Sequence, residues 1–174
     1  MRADQVADNV TIREFKPDDL ESVMTINKVC LPENYSPGFF LEHFYENPRI
    51  FLVAEVGGKI VGYNMCRIEF GISNLKTSFV RKGHVISIAV MESHRGKHIG
   101  LKLMEEGMQR IKKEGASEMY LEVRVSNRPA IEMYRKLGFK AGKSLEGYYR
   151  DGEDAYMMVS DLSGPEQAKE NAAM

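Results

Sequence analysis

The chain has no tryptophan, only two cysteines, and a net charge of just −1 over 174 residues. Each scarcity excludes something. Cys30 and Cys66 lie far apart and form no metal-type spacing, so they read as free thiols in a reducing compartment. A charge near zero gives no support for general nucleic-acid binding or for attachment to a membrane surface. No apolar run reaches the length of a transmembrane helix and no signal-peptide pattern is present, so a cytoplasmic location is expected. No segment repeats another. What is there, 43% apolar and 28% charged residues, is the composition of an ordinary globular protein, of a length that suits one domain with a substantial core.

Taken in order, Val10 to Phe15 alternates in character and predicts a first strand. Pro17, Asp18 and Asp19 open a helix that turns Leu20, Val23, Met24 and Ile26 inward and ends before Pro32. A proline-rich, apolar loop follows, Leu31-Pro32-Glu33-Asn34-Tyr35-Ser36-Pro37, and then a short helix near Gly38 to Asn47. Residues 50–56 and 59–68 flank Gly57-Gly58, a strong hairpin signal. Residues 71–83, polar with a basic end, read as a flexible loop. The run 84–91 is apolar on both faces, as in a central covered strand. A helix from about His98 to Lys113 places Leu101, Met104, Met108 and Ile111 on one stripe, with Gly107 implying close packing and Gly115 ending it. Residues 117–125 form another strand, and Ser126 or Asn127 with Pro129 starts another helix, which puts Ala130 and Tyr134 on one face. Gly138-Phe139 leads into a strand, and a turn-rich segment, 148–154, precedes the last strand, 155–159. Residues 1–9 and 161–174 are polar and aperiodic and are expected to be disordered around a domain at 10–160. The strand, helix and strand at 84–91, 98–113 and 117–125 form a crossover that makes the two strands parallel, within a mixed α/β domain whose sheet is partly antiparallel.

The centre of this order is His94-Arg95-Gly96-Lys97-His98-Ile99-Gly100. A strand feeding a glycine-containing loop and then a helix is a common seat for phosphates, because the first helical N–H groups lack intrahelical partners and the dipole favours an anion. The loop lacks the Gly-Lys-Ser/Thr ending of a nucleotide P-loop and the glycine spacing of a dinucleotide fingerprint. On its own it reads more readily as a solvated basic helix start.

The motifs in sequence resemble the GNAT superfamily of acetyl-CoA-dependent N-acetyltransferases. Arg95-Gly96-Lys97-His98-Ile99-Gly100 matches the first and last fixed positions of the family's pyrophosphate loop. Asn127-Arg128-Pro129-Ala130-Ile131-Glu132-Met133-Tyr134, followed by Gly138-Phe139, reproduces the family's next segment in full. Leu31-Pro32-Glu33-Asn34-Tyr35, the stretch 83–90 and the stretch 148–156 resemble the branch of catalytic subunits of N-terminal acetyltransferase A, and residues 121–127 its archaeal members. One position departs: His98 stands where the family usually has a glycine. Either it is an ordinary first-turn residue here, or cofactor affinity is reduced.

The resemblance implies a GNAT fold, a mostly antiparallel sheet of about six or seven strands with one parallel β-α-β crossover and about four helices. It implies acetyl transfer from acetyl-CoA to the α-amine of protein or nascent-chain N-termini, with small first residues such as Ser or Ala favoured and Met-initiated ends as a further class. It places the backbone of Ile88, Ala89 and Val90 along the pantetheine arm, with Asn127 and Ala130 near that arm. Arg95, Gly96, Lys97, His98, Ile99 and Gly100 take the pyrophosphate. Tyr134 points at the thioester sulfur. His84 and Glu122 face each other as a proton relay, and Glu33 orients the amine. Leu31, Pro32, Tyr35, Tyr148 and Tyr149 line the peptide.

Each of these residues also has an ordinary role open to it. His84 could be structural, Glu122 could pair with Arg124, and Glu33 could be a solvated loop carboxylate. Tyr134 could pack on the sheet and Asn127 could merely cap a helix. No resident metal is expected, although a facing His84 and Glu122 could collect zinc adventitiously. The expected partners are protein N-termini, with a ribosome or an auxiliary subunit beside them, no specific nucleic acid and no membrane, in a monomer or weak dimer. The alternatives are an acetyltransferase for lysines or small amines, and a non-catalytic acetyl-CoA-binding subunit.

Overall fold

The computed structural model describes residues 9–163. Among them are β1 (Val10–Glu14), α1 (Leu20–Cys30), α2 (Pro37–Glu46), β2 (Phe51–Val56), β3 (Lys59–Ile72), β4 (Phe79–Val90), α3 (Ile99–Lys113), β5 (Glu118–Arg124), α4 (Arg128–Lys136), β6 (Lys140–Leu145) and β7 (Ala155–Asp161). The strands form one seven-stranded sheet in the order β1-β2-β3-β4-β5-β7-β6. β1–β2, β2–β3, β5–β7 and β6–β7 pair antiparallel, whereas β4 and β5 pair parallel. That parallel pair, with α3 between its strands in sequence, is the expected crossover. Residues 1–8 and 164–174, most of the two segments expected to be disordered, lie outside the described residues; Asp161 still belongs to β7 and Leu162 is buried.

The chain divides into two compact units, Met1–Arg67 with Ile86–Arg110, and Ile68–Val85 with Ile111–Met174. In the first unit the continuous apolar run of β2 is explained by cover on both faces. Phe51 and Val53 join Phe15, Val23, Ile26, Phe40, Tyr63 and Met65 in one cluster, while Leu52 and Ala54 join Val61, Ile99 and Leu103 in another. Gly57 and Gly58, at φ 56° and 77°, make the predicted hairpin turn. Gly107 is needed for contact, since a Cβ there would stand 2.8 Å from the Asn64 amide nitrogen.

Two expectations need correction. The buried stripe of α3 is Ile99, Leu103, Met104, Gly107 and Ile111, while Leu101 and Met108 are only half-buried. The apolar residues of this helix are frequent enough to support two neighbouring stripes, and only the packing chooses between them. The segment 71–83 is also mostly strand: β3 runs to Ile72 and β4 begins at Phe79. Its polarity reflects satisfied surface groups rather than a free loop. Lys82 Nζ donates to the Ile72 carbonyl at 2.8 Å and Arg81 to the Glu114 carbonyl at 2.8 Å. The remaining turn is tied by buried Glu118, which accepts from the Ser73 hydroxyl at 2.5 Å and the Asn74 N–H at 2.7 Å.

Within the first unit a single amide fixes the 31–35 loop. Asn27, on α1 and 1% exposed, donates to the Glu33 carbonyl at 3.0 Å and to the Tyr63 hydroxyl at 3.1 Å. Its oxygen accepts from the Tyr35 N–H at 3.3 Å. The Tyr63 hydroxyl in turn meets Ser87 Oγ at 2.7 Å, and burial pushes that phenol up to about 12. Leaving such partners unmatched costs about 1–3 kcal/mol for each buried group. Asn27→Ala is therefore expected to lower unfolding stability by at least about 1 kcal/mol, read as a lower urea midpoint. An unchanged midpoint would refute the assignment.

Candidate active site

The second unit holds a compact polar cluster. Pairing of β4 with β5 sets His84 opposite Tyr120, and the two rings stack with centroids 4.1 Å apart and planes 14° apart. Glu122, two residues further along β5, lies on the same face of that strand. His84 Nε2 is 2.7 Å from Glu122 Oε2, and His84 Nδ1 is 2.8 Å from Glu69 Oε2 on β3. The Tyr120 hydroxyl donates to the other oxygen of Glu69. Lys82 Nζ lies 5.1 Å above the Tyr120 ring. The side chains of His84 and Glu122 are only 12% and 13% exposed, so these contacts are poorly screened by water. An imidazole held against a carboxylate in this way can take up and release one proton.

In the first unit the end of β4 leads through a short turn into the 95–100 loop. Gly96 has φ 74° and His98 φ 61°, and His98 is the one non-glycine with positive φ among the described residues. The first intrahelical bond of α3 is Lys102 N–H to the His98 carbonyl, 3.0 Å, so the N–H groups of Ile99, Gly100 and Leu101 precede it. Ile99 is 2% exposed and anchors the helix start in the core. Those N–H groups and the helix dipole suit a diphosphate.

Residues 20–139 match the Acetyltransferase (GNAT) family. The chain belongs to that family. It is 52% identical over 155 residues to an N-alpha-acetyltransferase of Saccharolobus solfataricus, covering 87% of this chain and 93% of the relative. It is 37% identical to the N-terminal acetyltransferase A complex catalytic subunit NAA10 of Arabidopsis thaliana, covering 89% and 79%. Among solved structures it is similar to Ard1 from Thermoplasma volcanium, with TM-score 0.78, 31% identity, and 88% and 97% of the two chains covered.

Against this GNAT frame, the other residues singled out by sequence have definite settings. Arg95 turns back, its Nε donating to the Val90 carbonyl at 2.9 Å, rather than projecting freely. Ile88 and Val90 pack beside the cluster of Leu52 and Leu103, and Ala89 lies in the aromatic cluster of Phe15 and Tyr63. Asn127 does cap α4, accepting from the Ala130 N–H at 3.4 Å. Tyr134 is 6% exposed, with its ring 5.9 Å from Phe139. Tyr35 stacks on Phe39 at 4.4 Å, and Leu31 packs on the same aromatic cluster, whereas Pro32 is exposed. Glu122 does not take the ordinary ion pair with Arg124. Among the described residues no group of three or more His, Cys, Asp or Glu is arranged to hold a metal.

Arg124 instead organises the loop that carries Tyr148 and Tyr149. Its guanidinium lies 4.0 Å over the Tyr149 ring and donates to Asp151 at 2.8 Å and Glu153 at 3.0 Å. Tyr148 meets Tyr149 edge-on at 5.0 Å. The Glu153 N–H, and after it Arg124, hold Asp151 below its ordinary value; the Ser126 hydroxyl, its N–H and Arg124 do the same for Glu153. A carboxyl depressed in the folded state stabilises above its unfolded value and loses that contribution as pH falls through the lower folded one.

Sequence reading did not find Glu69 or Asn27, and it named Tyr120 and Arg124 only as neighbours of Glu122 on one strand face. Period-two spacing places Tyr120 and Arg124 on the face of Glu122, which is a usable signal. Glu69 lay in a stretch with no pattern to mark it.

Two outcomes follow from these contacts. The loop should loosen in acid only below the ordinary values of 3.8 and 4.5, and Arg124→Met should loosen it at neutral pH. Amide exchange at Tyr149 and Gly152 reads both; equal protection in the variant would refute the latch. At His98, left-handed backbone costs a residue with a Cβ about 1–2 kcal/mol. His98→Gly should therefore unfold at higher urea than His98→Ala, and equal midpoints would count against strain there.

Proposed function

We propose that this protein is an N-terminal protein acetyltransferase, moving an acetyl group from acetyl-CoA to the α-amine of protein or nascent-chain N-termini. The observation that carries the reading is the His84–Glu122 contact of 2.7 Å, on a GNAT chain 52% identical to an N-alpha-acetyltransferase. The reading of the 95–100 loop as the donor's pyrophosphate seat is supported by its left-handed backbone and by the helical N–H groups that precede the Lys102–His98 bond. Bound there, acetyl-CoA supplies the thioester as acyl donor.

An α-amine titrates near 7.7–8.0 and must lose its proton to attack. His84 with Glu122 takes that proton first, and the lone pair so freed forms the C–N bond. As the C–S bond breaks, Tyr134 gives its proton to the departing sulfur, and the second proton, shed by the new amide nitrogen, restores the phenol. Backbone N–H groups along Ile88–Val90 stabilise the oxyanion. Glu33, held through its backbone by Asn27, orients the amine and favours small first residues such as Ser or Ala over initiator Met. Leu31, Pro32, Tyr35, Tyr148 and Tyr149 bind the first residues of the peptide and exclude side-chain amines. A cytoplasmic setting beside the ribosome, with an auxiliary subunit, suits nascent chains as substrate. Among the described residues no helix is long and apolar enough to cross a membrane.

Labelled acetyl-CoA offered to peptides beginning Ser, Ala, Met-Glu and Met-Leu is expected to mark free α-amines, Ser and Ala fastest. A matched set with blocked α-amines and free lysines should stay unmarked; label there would move the assignment to a lysine or general amine acetyltransferase. His84→Phe and Glu122→Gln should each lower kcat by about 10²-fold or more, with acetyl-CoA Kd by calorimetry nearly unchanged. Wild-type kcat in both would remove the relay.

A further inference from the structure

We propose that Glu69 is a positioning residue for His84: anchored by the Tyr120 hydroxyl, it keeps the Nδ1 proton in place and leaves Nε2 and Glu122 as the edge through which the proton is exchanged. This rests on the reading of His84 and Glu122 as the relay.

Three observations carry it. First, Glu69 accepts from the Tyr120 hydroxyl on one oxygen and lies 2.8 Å from His84 Nδ1 on the other. The hydroxyl gives its single hydrogen to Glu69, which favours the ionised carboxylate; in that form Glu69 only accepts, and Nδ1 is then the donor. A neutral imidazole has only one N–H, and Glu69 thereby selects the tautomer whose Nε2 is the basic nitrogen. Second, Glu122 meets Nε2 at 2.7 Å, and His84 is its one hydrogen-bond partner among the described residues. A proton on that edge therefore has two acceptors and no third group competing for it. Third, the contacts around the imidazole oppose a ring turn that would exchange its nitrogens. Tyr120 lies flat on it at 4.1 Å with Lys82 Nζ above the phenol ring, and the ring is held by carboxylates at both ends.

The assembly thus separates two tasks that a solvated histidine would mix. One ring nitrogen is given to orientation and the other to proton transfer. Tyr120 holds Glu69 from the same strand that presents Glu122, so both carboxylates are referred to one strand, β5.

The test uses the full chain with Glu69→Leu, which removes the acceptor, and Glu69→Gln, whose amide oxygen can still accept from Nδ1. Glu69→Leu should lower kcat by about tenfold or more while KM for acetyl-CoA and for a Ser-starting peptide stays within about twofold. Glu69→Gln should recover most of that loss. In a His84→Phe background, Glu69→Leu should cause no further fall, because its effect passes through the imidazole. Nitrogen-15 NMR of the His84 ring should show protonated Nδ1 in the wild type and a shift toward protonated Nε2 in Glu69→Leu. Tyr120→Phe keeps the stacked ring and removes only the donor to Glu69, so it should weaken the Nδ1 signature in the same direction, and it serves if the leucine variant does not fold. An unchanged ring tautomer in both, or an equal kcat loss with and without His84, would overturn the proposal. Wild-type kcat in His84→Phe would instead remove the relay, and the ring spectra would still report whether Glu69 holds Nδ1.

Discussion

Both ring nitrogens of one histidine lie against carboxylates, and that geometry depends on three strands being in register. His84 can stack on Tyr120 only because β4 and β5 run parallel with those residues opposite each other. Glu122 reaches Nε2 because side chains two apart on a strand share a face. Glu69 reaches Nδ1 only because β3 continues past the point where its sequence stops looking like a strand. A slip of one residue in any of the three would send His84 or one of its carboxylates to the opposite face and break the arrangement. The α3 crossover serves this geometry, since a parallel pair needs such a connection.

The first unit solves a similar problem with a neutral group. Asn27 reads like one polar residue on an otherwise amphipathic helix, yet it is almost fully buried and bonds to the 33–35 backbone and to Tyr63. A loop with prolines on either side of Glu33 would otherwise have little regular structure to fix it. The amide costs little to bury because its donors and acceptor are matched, whereas a carboxylate in the same place would need a counter-charge. Elsewhere charge also carries architecture, as where buried Glu118 ties the turn after β3 and Arg124 holds Asp151 and Glu153.

The order of elements was legible because it rests on local signals: the Gly-Gly hairpin, the Asn127 cap with Pro129, and the doubly apolar central strand. His84 and Glu122 were legible only through the family pattern, since an isolated histidine and glutamate on strands have commoner ordinary roles. The illegible parts share a physical cause. Glu69, Arg81 and Lys82 lie where β3 and β4 lose apolar cover, and a strand whose polar side chains are satisfied by backbone carbonyls resembles a loop in sequence. In α3 the apolar residues were sufficient to describe two adjacent stripes, and the choice of Leu103 over Leu101 is made by what packs against it. Tertiary contacts decided each of these, and no window of sequence contains them.

His98 tests how far a family pattern constrains a conformation. A histidine in place of the usual glycine could have drawn the loop into an ordinary first helical turn; instead it takes the left-handed backbone that a glycine would adopt without strain. The neighbours explain why. Ile99 is driven into the core beside Leu103, and the Arg95 guanidinium is bonded to the Val90 carbonyl, so the chain is fixed on both sides of a short loop. Between those anchors the tight turn is imposed whatever residue fills it, and the strain settles on the side chain that cannot relieve it. That backbone persists at a cost a glycine would avoid because the core contact of Ile99 and the Arg95–Val90 bond together outweigh it.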